Sequence, residues 1–394
     1  MTGVTVEPGV YFDLSNADYH GGEGVNKGLL DQVHRSPLHA KAALDAANDN
    51  DPTLAQIIGS AFHTLLLEPH KFADEYVVEL TQADAPHAIA DRDTLVAMVE
   101  ELNVTRLAKL TTGGTKAEQI ERILAATADQ ATTAEPLVFG AAELEIMKGA
   151  DLKAVLEGMN KVRPGKYSIS GSIDDLAEIL RANGHTITLW RDVRARWAEE
   201  NQGYTVLSVD QHEQLLAMAF AVHNHPAAEQ LLAARVDAVA EASVYWTDQA
   251  TGELCRCRPD YWRADGIIVD VKTTEDASQE GFSKSLASWR YHVQAPWYRD
   301  GLMAAYEAGH FPQGWAAPKA FVFLVVEKKA PHAVACYVID AESIELGRAE
   351  YREDLDKLAE CKATGIWPGY GDTLQMIGVP QWYLLRNAHR VDAA

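Results

Sequence analysis

Cysteine and basic residues are both scarce in this chain. Only four of its 394 residues are cysteine (Cys255, Cys257, Cys336 and Cys361), which is too few and too scattered for a disulfide framework. Lys and Arg number 35 against 57 Asp and Glu, so the formal net charge is −22. Such an acidic chain is not expected to coat nucleic acid or an anionic membrane with its general surface. A local basic groove, or a metal that neutralises clustered carboxylates, remains open.

The sequence also lacks long apolar segments. No apolar run approaches the ~18 residues that a membrane span needs. The first twenty residues show no basic patch followed by an apolar stretch, so we expect no signal peptide. With 47% hydrophobic and 23% charged residues, the composition is that of a folded globular protein. Together these features predict a cytoplasmic protein that does not associate with membranes.

The texture of the sequence divides the chain into three regions. Residues 1–81 include an apolar, 3.6-periodic stretch, TLAQIIGSAFHTLLLEP, which predicts a helix that carries His63. Residues 82–232 are rich in Ala, Glu, Leu and Lys, and predict a long helical insertion. Residues 233–394 change to a period of two, which is typical of strands.

The third region predicts most of a central sheet. Three strands of a meander are expected at Ala242–Trp246, Leu254–Trp262 and Gly266–Lys272. One helix over residues 281–309 follows, with Pro296 placed to kink it. Two further strands and a final amphipathic helix complete an α/β fold.

The stretch RPDYWRADGIIVDVKTT carries the sharpest chemical pattern. Side chains alternate along a strand, so Asp270 and Lys272 share one face while Val269 and Val271 point into the core. The RADG turn folds the strand of Asp260 back against that of Asp270, which brings two carboxylates together. Such a pair repels unless a cation sits between them, and oxygen ligands favour Mg²⁺ or Mn²⁺. Lys272 is then placed to orient a bound water or to meet a phosphate oxygen.

The same alternation places two arginines beside these carboxylates. Arg256 and Arg258 share a face with Asp260 if no bulge intervenes, and would supply cations for a polyanionic substrate. A D-x-K triplet on a strand is also the pattern of an ordinary surface ion pair, so the triplet alone does not define a catalytic site.

The order of the motifs carries a more specific resemblance. Asp-x(9)-Asp-x-Lys followed by a helix with Gln294-x-x-x-Tyr298 resembles the layout of the PD-(D/E)XK nuclease superfamily. The resemblance narrows to the phage-type exonuclease VIII (RecE-like) family and covers about residues 8–80 and 235–370. It rests, in order, on GVYFDLSNADYH, SPLHAKAAL, GSAFHTLLLEP, SVYWTDQATGELCRCRPDYW, IIVDVKTTEDAS, YHVQAPWY and FVFLVVEKKAPHAVACY.

This resemblance implies a restriction-endonuclease-like core and a set of site residues. The metal ligands implied are His63, Asp260, Asp270 and the Val271 carbonyl, with Lys272 as the catalytic lysine; Gln294 and Tyr298 would help to hold the active site and the DNA end. The activity implied is a Mg²⁺-dependent 5′→3′ exonuclease on linear duplex DNA. The partners implied are a single-strand annealing protein of phage-type recombination and further copies of the chain in a ring. The long insertion departs from the family pattern, which makes assembly by analogy less secure.

Three further features have two interpretations each. Glu241 opens the first strand of the meander, either as an auxiliary carboxylate in the cleft or as a solvated strand residue. Residues 102–126 resemble a small helix-loop-helix DNA-binding module of the HeH/SAP type, although an ordinary structural role is favoured. His63 is, without the family pattern, equally a core histidine. Two rival functions stay open: an endonuclease or single-strand nuclease of the same fold, and a catalytically idle DNA- or protein-binding module.

Overall fold

The fold is taken from a computed structural model, which describes residues 6–46, 53–129, 139–233 and 235–388. The chain separates into two compact units. The first unit contains the residues up to Val78 and those from Tyr204 onwards, and the second contains Glu79–Gly203. Across these described ranges, no helix combines the length and the apolar character that a membrane crossing would require.

The elements follow one another with short connections. The first unit begins with β1 (Gly9–Tyr11), α1 (Asn16–Gly21), α2 (Lys27–Arg35), α3 (Pro37–Asp45), α4 (Leu54–Leu67), α5 (Pro69–Glu75) and β2 (Tyr76–Val78). The second unit is helical: a 3₁₀ turn (Gln82–Asp84), α6 (Arg92–Val104), α7 (Lys116–Asp129), α8 (Ala141–Ile146), α9 (Gly149–Lys161), α10 (Ile173–Ala182) and α11 (Trp190–Glu200).

The first unit then resumes and supplies most of the strands. Its remaining elements are β3 (Thr205–Leu207), α12 (Val209–Asn224), α13 (Pro226–Leu232), β4 (Ala238–Ala240), β5 (Ser243–Thr247), β6 (Leu254–Cys257), β7 (Tyr261–Arg263), β8 (Ile267–Thr274), α14 (Gln279–Ser288), α15 (Tyr291–Glu307), β9 (Ala320–Glu327), β10 (Val334–Val338), α16 (Ala341–Thr364) and α17 (Gln381–Arg386).

A five-stranded mixed sheet forms the centre of this unit, in the order β10-β9-β8-β7-β4. Strands β8 and β9 are parallel, as their connection through α14 and α15 requires, and the other pairs are antiparallel. A three-stranded sheet has the order β1-β5-β6, and β2 pairs with β3 in parallel. The predicted α/β architecture is therefore confirmed.

Strand β8 is buried on both faces, and its alternation decides what each face contacts. Val269 and Val271 belong to a core with Phe62 of α4. Ile268 belongs to the opposite core, with residues of α2, α15 and α16. The predicted inward orientation of the two valines is observed, and Asp270 and Lys272 follow Ile268 on the other face.

The predicted meander is present but is not one continuous sheet. Ala240 lies opposite Tyr261 and Val244 lies opposite Cys257, so one antiparallel register continues along the whole hairpin. Its two halves nevertheless belong to different sheets, because the expected strand Leu254–Trp262 is interrupted before Asp260. Pro259 has no backbone N–H and cannot continue the ladder there.

The helical insertion also differs from its predicted limits of 82–232. The second unit starts at Glu79, close to the prediction, but ends at Gly203. Residues 204–232 belong to the first unit, because Leu215 and Met218 of α12 are fully buried in the core that contains Phe62. Their helical texture matches that of the insertion, while their packing does not.

This boundary predicts the outcome of two deletions. Replacing residues 79–203 with a Gly/Ser linker of about eight residues, which is long enough to join β2 to β3, should leave a folded protein. Replacing 82–232 should unfold it, because that deletion removes buried side chains worth ~2–5 kcal/mol each. Thermal melts followed by circular dichroism compare the two variants. Loss of a cooperative transition in the shorter deletion would contradict the division into units.

Candidate metal centre

The candidate site lies where the bent hairpin leaves the central sheet. Tyr261 is paired with Val269, so one further step of the same register places Asp260 opposite Asp270. The backbone does not complete that step. Instead, the Val271 N–H donates to the Asp260 carboxylate, with 2.6 Å between nitrogen and Oδ2. A side chain thus takes the place of a strand acceptor, which fixes Asp260 beside β8.

Helix α4 brings His63 to the same point. Phe62, its neighbour, is fully buried against the valines of β8, and this packing holds the helix in place. The His63 Nε2 atom lies 3.0 Å from the Val271 carbonyl oxygen, and Nδ1 lies 3.8 Å from Asp260 Oδ2. The geometry therefore brings together His63, Asp260 and the Val271 carbonyl, although 208 positions separate His63 from Val271.

Glu241 completes this cluster from the other strand of the hairpin. Its backbone is left-handed (φ +52°), and its N–H donates to the Asp260 carbonyl at 3.1 Å. Within the described ranges, ligand atoms of His63, Glu241 and Asp260 lie within 4.8 Å of one another. Burial raises the pKa of Glu241 well above its usual range, and the charge of Asp260 raises it further. A strained backbone that holds a buried carboxylate is typical of functional sites.

Asp270 is fully buried and is held by two side chains. Lys272 Nζ lies 2.5 Å from its Oδ2 atom, and Gln294 Nε2 donates to Oδ1 at 2.6 Å. Burial raises the pKa of Asp270 to about 6, against the opposing charge of Lys272. Burial works to lower the pKa of Lys272, but the charges of Asp270 and Asp260 outweigh it and raise that pKa. Asp270 therefore lies beside the cluster of three rather than within it.

Two tyrosines line the remaining walls. The Lys272 ammonium lies 4.7 Å from the centre of the Tyr291 ring. Tyr298 lines a cavity of about 360 Å³ together with His63, Glu241 and Asp260. Burial raises the pKa of Tyr298 well above its usual range, so its phenol stays neutral and able to donate a hydrogen bond.

The two arginines expected to face a polyanion bind the protein itself. Arg256 donates to the carbonyls of Tyr19 and His20. Arg258 donates to the Ser243 hydroxyl at 2.9 Å and to the Leu14 carbonyl at 2.8 Å. Both are about 95% buried, because the hairpin bends at Pro259 and the strand alternation used to place them does not continue through it. They hold the segment around α1 against the hairpin.

The basic residues of the HeH/SAP-like segment also bind their own unit. Arg106 donates to the Gly165 carbonyl at 2.8 Å, and Arg122 donates to the Thr111 carbonyl at the same distance. Lys109 and Lys116 bind the carbonyls of Asn160 and Glu145. These contacts favour the structural interpretation of residues 102–126.

The donors at the site suit a hard divalent cation. One imidazole nitrogen, carboxylate oxygens and a backbone carbonyl match the ligands that Mg²⁺ and Mn²⁺ accept. Close carboxylates repel each other, and the raised pKa of Glu241 reflects that repulsion; a cation among them would relieve it. The residues present therefore fit a metal. The sequence did not single out Glu241 as a ligand, and its left-handed backbone had no local signal such as glycine.

Comparison with known proteins agrees with this geometry. Residues 192–378 match the family model of a PDDEXK-like domain of unknown function (DUF3799). A crystal structure of a protein from Eubacterium rectale, described as a candidate exonuclease, superposes with a TM-score of 0.32 and 11% identity. That superposition covers 70% of this chain and 96% of the other, and is too weak to carry an argument. A search of curated proteins finds no significant match.

The sheet, the site and the matched domain identify the class of protein. The core of this chain is a restriction-endonuclease-like fold of the PD-(D/E)XK superfamily, whose members are nucleases that generally use divalent metals. The match extends from α11 into the segment after α16, and so includes every strand from β3 to β10.

The cluster predicts which side chains control metal affinity. His63→Ala, Asp260→Asn and Glu241→Gln should each weaken Mn²⁺ binding by about tenfold or more, because each removes one donor. Glu68→Gln is the matched control: Glu68 lines the same cavity, but its carboxylate is paired with Lys71 at 2.6 Å. Titration calorimetry measures all four. An unchanged affinity in Asp260→Asn would refute the site, and an unchanged affinity in Glu241→Gln would remove Glu241 from it.

Proposed function

We propose that this protein is a metal-dependent exonuclease that hydrolyses the phosphodiester bonds of linear duplex DNA. The observation that carries the proposal is the convergence of His63, Asp260 and the Val271 carbonyl beside Asp270 and Lys272. These are the ligand and lysine positions that the sequence resemblance implies. An idle descendant of the fold would have no reason to keep all of them.

The proposed site holds Mg²⁺, or Mn²⁺ in its place, with His63, Asp260, Asp270 and the Val271 carbonyl as ligands and Glu241 as a further carboxylate. When bound, such an ion acts as a Lewis acid towards a phosphoryl oxygen and lowers the pKa of bound water. In a protein with a net charge of −22, this charge also offsets the repulsion between carboxylates and DNA phosphates.

Lys272 is proposed to position the attacking water and to stabilise the phosphate. An ammonium group has three N–H donors and no acceptor, so it cannot ligate a metal while protonated. Asp270 takes one donor, and the raised pKa keeps the group charged at neutral pH. The other donors are free to orient water or to meet a phosphate oxygen. Gln294 keeps the Asp270 carboxylate in place through its bond to Oδ1.

The cavity favours release of a terminal nucleotide over cleavage within a duplex. Its volume of about 360 Å³ is at the lower end of ligand-pocket sizes, which suits one small group at a time. The 5′→3′ polarity, a ring-shaped homo-oligomer, a single-strand annealing partner in phage-type recombination and a cytoplasmic location rest on the resemblance or on the composition. They are proposed with it.

Digestion of end-labelled linear duplex DNA and of a closed circle, each with Mg²⁺, Mn²⁺ or EDTA, tests the activity. We expect cleavage of the linear substrate with either metal, none with EDTA, and an intact circle. Cleavage of the circle would favour an endonuclease of the same fold. The absence of cleavage, with DNA still bound, would favour an idle binding module.

Substitution of Lys272 separates chemistry from metal binding. Lys272→Gln keeps a hydrogen-bond donor for Asp270 but removes the charge, so cleavage should fall ~10²-fold or more. Mn²⁺ affinity should stay within about threefold, because Lys272 is not a ligand. Lys284→Gln is the control, since Lys284 is exposed and pairs only with Glu280 on its own helix.

Single-turnover cleavage and Mn²⁺ calorimetry are measured on the same preparations. A melting curve accompanies them, because an uncompensated buried carboxylate can cost ~3–5 kcal/mol of stability. Wild-type cleavage by a folded Lys272→Gln variant would reduce the D-x-K triplet to an ordinary ion pair.

A further inference from the structure

An exposed tryptophan lies at a break that the sequence did not predict. One helix was expected over residues 281–309, but α14 ends at Ser288 and α15 begins at Tyr291. Pro296, the expected kink, lies inside α15 instead. The indole of Trp289 is 64% exposed, whereas Trp262 and Trp297 are buried in the core. Within the described ranges, Trp289 has no aromatic ring partner of the kind that those two residues have.

The backbone at this break is held firmly. Arg290 has a left-handed conformation (φ +53°), which costs about 1–3 kcal/mol for a residue other than glycine. Its guanidinium binds Asp31 of α2 at 3.0 Å, and Glu350 and Asp354 of α16 at 3.1 and 2.7 Å. These contacts with two other helices over-determine the conformation, so Trp289 stands on a fixed support.

The same support adjoins the catalytic lysine. Lys27 Nζ donates to the Trp289 carbonyl at 2.7 Å and lies 5.9 Å from the Tyr291 ring centre. Lys272 Nζ lies 4.7 Å from that same ring. Two ammonium groups therefore flank Tyr291, two residues from Trp289, in a protein whose overall charge is strongly negative. The break combines an exposed aromatic face with local positive charge.

We propose that Trp289 forms a stacking subsite for an unpaired base of the DNA strand whose phosphate lies at Lys272. This subsite rests on the proposed nuclease function and extends it. Aromatic side chains beside a positively charged track are the means by which proteins bind single-stranded nucleic acid without sequence preference. An indole on a fixed support loses little conformational entropy when a base stacks on it. The subsite thus implies that the strand is unpaired near the bond being cleaved.

The test uses a fluorescent, single-stranded phosphorothioate oligothymidylate, which resists hydrolysis, in the presence of Mg²⁺. Trp289→Ala should weaken its binding by about tenfold, the effect expected for loss of one base stack. Trp289→Phe, which keeps an aromatic face, should stay within about threefold of wild type. Trp382→Ala is the matched control: Trp382 is 63% exposed but lies on α17, and its affinity should not change.

A second series moves a single abasic position along the oligonucleotide. In the wild type, one position should lower affinity by a factor similar to that of Trp289→Ala, and in Trp289→Ala that dependence should disappear. Because each change removes one half of the same contact, the two effects should not add. Melting curves confirm that each variant is folded.

The outcomes separate this subsite from the function on which it rests. A wild type that binds and cleaves DNA, with Trp289→Ala equal to it, would overturn the subsite alone. Additive effects of the two changes would also overturn it, as would a changed oligomeric mass of Trp289→Ala with unchanged DNA affinity. A wild type that neither binds nor cleaves DNA would overturn the proposed function and the subsite together.

Discussion

The bend in one β-hairpin is the constraint on which the rest of this site depends. Both strands pass from the three-stranded to the five-stranded sheet at adjacent points, after Glu241 on one strand and at Pro259 on the other. Ladder hydrogen bonds are lost there, and polar side chains replace them. Asp260 accepts the Val271 N–H, and the Glu241 N–H donates to the Asp260 carbonyl. The carboxylates are held in place because they complete the ladder.

The charges at the bend are balanced by a few specific groups. Asp270 is fully buried, and its compensation comes from Lys272 and Gln294. Arg258 is close enough to Glu241 to counter the burial that raises the pKa of that carboxyl. Arg258 also binds the segment around α1, so the same cation closes the cavity and offsets part of its negative charge. Without a metal ion, three neighbouring carboxylates would share little positive charge, which is why the donor set favours a divalent cation.

Local periodicity was enough to predict part of this arrangement. The alternation of β8 placed Val269 and Val271 in the core and Asp270 with Lys272 on the other face, since period two depends only on neighbouring residues. The 3.6-residue pattern of α4 likewise predicted the helix that carries His63. The pairing of His63 with Asp260, by contrast, required the resemblance to a known family, because nothing local joins them.

The features that the sequence did not predict depend on contacts between distant segments. The left-handed Arg290 is stabilised by carboxylates of α2 and α16, so nothing near it in the chain marks the end of a helix. The alternation used for Arg256 and Arg258 failed at Pro259, where the strand changes sheet. The helices after residue 203 match the insertion in composition, and only the burial of Leu215 and Met218 assigns them to the core.

The central claim is that one metal ion lies between the bent hairpin and α4. Anomalous diffraction from crystals of the full chain grown with Mn²⁺ tests it most directly, because the manganese position is located independently of the protein atoms. The account predicts a peak within ~2.0–2.3 Å of ligand atoms of His63 and Asp260 and of the Val271 carbonyl. A peak bound elsewhere, or a cluster that binds no manganese at saturating concentration, would contradict it.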